Sequence, residues 1–187
     1  MKHCIIIEDR VERQQKQLTE EQWERLCQLA AVDSELPGYE EGKEYDFSAF
    51  DDYDIVAVHR TLLAKTNLIN EFMDYAKNKK KNSIIFSGSI TQQLVTNGGN
   101  TLAVEATVFY QSIVTFLETY DDSQDFPLYR FLYGNEWELP LLLRFRFLKW
   151  KEKDGTLQRQ EKAELQSLQK AYEGDFEKRI TELIQNI

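Results

Sequence analysis

The chain reads as an α/β protein built on a parallel sheet, and three observations carry that reading. Short apolar runs in CIIIEDR (4–10), DIVAVHR (54–60) and SIIFSGS (83–89) each stop abruptly on polar residues. Stretches with helical spacing of apolar residues lie between them. Glycine and proline are sparse, 8 and 3 in 187 residues, which suits long helices better than a loop-rich all-β fold. Strands that alternate with helices need crossover connections, and crossovers make the strands parallel and cover both faces of the sheet.

Taken in order, Ile5, Ile6 and Ile7 in succession predict a central strand buried on both faces. A helical stretch follows to about Ala31, with Trp23, Leu26, Cys27 and Ala30 on one face. Thr19 with Gln22 has the spacing of a capping box, so the helix restarts or kinks there. From Val32 to Asp52 the pattern breaks into an acidic loop, with a short edge strand and a one-turn helix near Phe47–Phe50 as its expected structure. The second buried strand is YDIVAVH (53–59). NLINEFMDYAKNKK then forms an amphipathic helix whose lysines complement the negative end of its dipole. The third buried strand ends at Ser87-Gly88-Ser89.

Beyond it, Asn97-Gly98-Gly99-Asn100 reads as a turn and TLAVEATVFYQSIVTFLETY (101–120) as a helix. FPLYRFLYG (126–134) reads as a further strand. ELPLLLRFRFLKWKEKDG reads as a helix from near Pro140 to Gly155, although the alternation Leu143, Phe145, Phe147 would also suit a strand. Leu165, Leu168, Tyr172, Phe176, Ile180, Leu183 and Ile187 form an apolar seam on a last charged helix, with Gly174 as a breaking point. That seam suits either packing back on the domain or a homodimer through the C-terminal helix.

Composition narrows the function classes. A net charge of −9 opposes nonspecific binding to nucleic acid. Cys4 and Cys27 make no disulfide framework, and no C-x-x-C or His/Cys cluster suggests structural zinc. The first ten residues turn acidic too soon for a signal peptide, and no run of roughly eighteen apolar residues suggests a membrane span. The expectation is a cytoplasmic protein with no membrane partner.

In a parallel sheet ligands bind beyond the carboxyl ends of the strands. Glu8, Asp9, His59, Arg60, Ser87, Gly88 and Ser89 should therefore share one rim. Each has a structural role to set against a chemical one. Glu8 and Asp9 are weak metal candidates or helix caps. His59 is a base, a ligand or a polar strand end, and the last is the commoner fate. The Ser87-Gly88-Ser89 turn is an anion cradle or simply a turn, and no phosphate-binding loop of the GxxxxGK[ST] type occurs in the chain.

The acidic pair after CIII, the DIVAVH strand and the Ser87-Gly88 strand end together resemble response-regulator receiver domains over roughly residues 1–89. The resemblance implies a flavodoxin-like, three-layer fold, with a receiver-like domain over 1–135 and a C-terminal helical extension over 136–187. In that family the position of His59 is an aspartate that accepts a phosphoryl group, and magnesium sits on the neighbouring carboxylates. An imidazole cannot form an acyl phosphate and weakens a site for a hard cation. The implied function is therefore regulation through protein partners without phosphorylation or catalysis, using the region after Ser87, with no cofactor expected and Glu8 and Asp9 as weak holders of Mg2+. The competing expectation is a small enzyme or a nucleotide- or anion-binding protein that uses Glu8, Asp9, His59 and Ser87. The family's fifth strand, ending in Lys-Pro soon after the fourth helix, is not matched: PLYRFLYG lies too far downstream and has no such lysine.

Overall fold

A computed structural model of the chain describes residues 2–96, 99–171 and 176–185. The first strand, β1 (Cys4–Ile7), is buried at every position. Helix α1 (Val11–Gln17) follows, and α2 (Glu20–Leu29) starts afresh at Thr19, where both halves of the capping box are formed. The helical stretch stops at Leu29 rather than near Ala31, because Ala30 takes extended backbone and opens β2 (Ala30–Asp33). The acidic loop then leads into a 3-10 turn at Phe47–Phe50, whose two phenylalanines are buried.

Strand β3 (Ile55–His59) is wholly buried and passes directly into α3 (Arg60–Lys65), a short helix that the apolar pattern had concealed. Helix α4 (Ile69–Lys79) and strand β4 (Asn82–Phe86) complete the first half.

The second half departs from expectation in two places. Residues 101–104 form strand β6 (Thr101–Val104) instead of the first turn of a helix, preceded by a short strand β5 (Leu94–Thr96). Helix α5 (Ala106–Thr119) begins only after Glu105, whose carboxylate accepts the Thr107 and Val108 N–H groups. The strand expected in 126–134 is helix α6 (Pro127–Tyr133). Pro127 occupies its first turn, where a missing N–H costs nothing, and Gly134 ends it at φ +53. Helices α7 (Glu138–Lys153), α8 (Arg159–Ala171) and α9 (Phe176–Gln185) follow. The expected break at Gly174, the seam positions Tyr172 and Ile187, and the first half of the turn at Asn97-Gly98 lie outside the described residues.

Among the described residues the sheet has six strands in the order β2-β1-β3-β4-β6-β5. All neighbours are parallel except β5 and β6. The order is compatible with a flavodoxin-like arrangement. Alternate residues of the strands feed two cores. Ile6, Ala57, Ile84 and Phe86 join Leu26 of α2 and Phe109 and Ile113 of α5 on one face. Ile5, Ile7, Val56, Val58 and Ile85 join Leu63 of α3 and Phe72 of α4 on the other. The first core also takes in Leu141, Phe145 and Leu148 of α7 and Leu165 and Leu168 of α8. Ile180 of α9 is buried as well, so the described inner positions of the seam are covered by this chain itself. Among the described residues, no helix is long and apolar enough to cross a membrane.

Candidate functional site

The chain leaves β1 to build β2 on one side and returns to build β3 on the other. The carboxyl ends of β1 and β3 therefore flank the reversal point of the sheet, where an open α/β fold leaves a crevice. Register fixes what stands there. Ile7 is level with Val58, and His59 with Phe86, so Glu8, His59 and Ser87 leave neighbouring strands almost side by side.

Glu8 has no exposed surface. Its Oε2 accepts the Tyr110 hydroxyl from α5, and its Oε1 accepts the Arg10 N–H at 3.1 Å. Burial, opposed by those two donors and reinforced by neighbouring Asp9, raises its pKa to about 7. Near neutrality the group is divided between acid and carboxylate.

His59 is only 3 % exposed. Its Nδ1 lies 3.1 Å from Asp9 Oδ1 and 3.4 Å from the Thr61 N–H that it caps. One nitrogen cannot serve both at once. A proton on Nδ1 lets it donate to Asp9 but removes the lone pair that accepts from Thr61. Of the two, the Thr61 contact has hydrogen-bond geometry, so Nδ1 accepts there and the Asp9 carboxylate stands beside it as a close charge contact; Asp9 Oδ2 lies 3.8 Å from Lys65 Nζ. The ring also packs edge-on against Phe86 at 5.4 Å.

Ser87 is buried, and its hydroxyl lies 3.1 Å from the Ser89 hydroxyl while accepting the Ser89 N–H at 3.3 Å. Arg60 reaches across to Ser89 Oγ at 3.5 Å, so the β3 and β4 ends are joined at the surface as well. A Cβ added to Gly88 would meet no atom within 4 Å, and its φ lies outside the left-handed region, so the turn does not require glycine there. His3 lies at the opposite end of the sheet, where it meets Asp54 at 2.6 Å.

Ligand atoms of Glu8, Asp9 and His59 all lie within 4.8 Å of one another. Metal–ligand bonds of about 2.0–2.2 Å put adjacent ligand atoms roughly 3 Å apart, which is close to the His59–Asp9 spacing. Two carboxylates and an imidazole form a donor set for a borderline ion such as Zn2+ or Mn2+. They do not match the all-oxygen shell that Mg2+ prefers. Two members of the rim escaped the sequence reading. Tyr110 sits in an apolar helix with nothing to mark its hydroxyl. Glu105 lay inside a stretch read as one helix, so the strand-to-helix change that it caps gave no signal.

No family model, curated protein or solved structure matches this chain.

Proposed function

We propose that this is a receiver-like regulatory domain of flavodoxin-like fold, one that acts through protein contacts and does not accept a phosphoryl group. One observation carries the reading: the carboxyl end of the central strand β3, beside buried Glu8 and half-buried Asp9, holds His59 where aspartyl chemistry would need a carboxylate. The imidazole caps the first turn of α3 and stands 3.1 Å from Asp9, so it brings the β1 and β3 ends together. The five parallel strands run in the order associated with flavodoxin-like sheets. Where a receiver would carry lysine after its last strand, this chain carries Glu105, bound to its own helix start. That second departure supports the same conclusion.

Incubation with acetyl phosphate and Mg2+, followed by intact-mass measurement, is expected to leave the protein unmodified. A stable adduct on Asp9 or His59 would overturn the reading.

The convergence of Glu8, Asp9 and His59 favours one other reading, a rim that binds a borderline divalent ion. On that reading Zn2+ or Mn2+, and not Mg2+, raises the melting temperature, and His59→Ala abolishes the rise.

A further inference from the structure

Helix α7 presents to solvent a side that the core does not use. Leu141, Leu142, Phe145 and Leu148 are buried, whereas Leu143, Phe147 and Trp150 are 47, 46 and 58 % exposed. These three stand four and three residues apart, so they form one stripe along two turns. The Phe147 and Trp150 rings stack at 6.0 Å.

Cations line both sides of the stripe. Arg144 and Lys151 lie over Phe147, each 5.7 Å from its centre, but Glu164 and Glu161 of α8 already hold them. Arg146, Lys149 and Lys153 stand on the other side. Arg146 meets Glu177 at 3.6 Å and Lys149 meets Glu152 at 3.0 Å, through exposed groups that exchange readily with water or with another anion. A groove of about 450 Å3 runs beside them, lined by these three cations together with Trp150 and Phe176. In all, α7 carries five basic side chains against two acidic ones, in a chain whose net charge is −9.

We infer that this face of α7 docks an acidic amphipathic helix of a partner protein. The stripe is the length and shape of one helix ridge, with spacing that fits the ridge of another. Its outer flank is basic, so carboxylates beside an apolar seam complement it. A continuous line of phosphates suits it less well. Glu152 and Glu177 interrupt the basic flank, and the charge of the whole chain repels polyanions at longer range. A symmetric second copy would set α7 against α7 and bring like charges together. The inference concerns a surface apart from the rim and stands independently of what the rim binds.

The test uses the full chain and fluorescein-labelled peptides of about eighteen residues, long enough for several helical turns. The probes carry Leu and Phe at i, i+3, i+4 and i+7 with Glu elsewhere, and the controls are scrambled peptides of equal composition. Expected is saturable binding of the probes that weakens as salt rises, with a blue shift of Trp emission. Phe147→Ala/Trp150→Ala and Arg146→Glu/Lys149→Glu/Lys153→Glu should each lower affinity at least about tenfold. All five positions are on the surface, and unchanged circular dichroism and melting temperature verify that the fold is kept. Absence of binding, equal binding of scrambled peptides or undiminished binding by the variants would overturn the inference. So would a blue shift given by oligo-dT or phosphatidylserine vesicles with the peptides silent. A dimer in light scattering that Phe147→Ala/Trp150→Ala dissolves would overturn it as well, by assigning the face to a second copy.

Discussion

Glu8 is a rim residue whose buried carboxyl changes protonation near neutral pH. Its folded-state pKa, about 7, lies above the ordinary value of 4.5, so the folded chain holds a proton that the unfolded chain releases. The stability contributed by that proton is complete below about 4.5 and is lost as pH rises through about 7. Glu8→Gln, neutral at every pH, should therefore gain in melting temperature relative to the parent as pH goes from 5 to 8. Parallel melting curves for the two proteins across that range would contradict the assignment. Tyr110→Phe removes a buried donor to the same carboxyl. It should cost about 1–3 kcal/mol in urea denaturation at pH 8, and less at pH 5, where the carboxyl is neutral. Asp46, Asp51 and Asp121 behave in the opposite sense. Hydrogen bonds hold their pKa values below the usual range, so what they contribute is lost only as pH falls through those lowered values.

Among the elements, the α7–α8 contact shows how position decides what an ion pair is worth. Arg144 donates to both oxygens of Glu164, at 3.0 and 2.8 Å, and Glu164 is buried. Arg179 makes the same forked contact to Glu138 from an exposed site. Arg144→Met is expected to cost about 1.5–3 kcal/mol, because it strands a buried acceptor. Arg179→Met, at an exposed and solvent-screened pair, should cost less. Chemical denaturation of the two variants side by side measures the difference, and equal losses would remove the distinction.

The same scale explains what the sequence could and could not show. Strands β1, β3 and β4 are central and buried on both faces, so they appear as apolar runs with sharp polar ends. Those ends located Glu8, Asp9, His59 and Ser87. Strand β6 is almost as buried, but only Glu105 separates it from an apolar helix, and its end was invisible. In α6, three aromatics in alternation imitate a strand, and the proline that starts the helix was the better guide. His59 hid α3 because the same residue ends a strand and caps a helix. Tyr110 could not be read at all, since its tie to Glu8 spans 102 positions of chain.

For the whole molecule, the C-terminal helices are part of the interior. Leu165 and Leu168 share a buried cluster with Cys4, Ile84 and Phe109. Ending the chain at Gly155 would uncover that cluster, and the expected result is a large fall in melting temperature with exposed apolar surface that binds a dye such as ANS. A truncated protein that melts like the full chain would show α8 and α9 to be accessory.

The reversed edge strand has a consequence in time. The parallel pairings β1–β2, β1–β3 and β3–β4 must wait for the helices between their strands, whereas β5 and β6 are adjacent in sequence and antiparallel. A hairpin of that kind closes in roughly 1–10 μs, well before a crossover can be completed. Because β6 also pairs with β4, a hairpin formed early at the outer edge would offer β4 a ready partner.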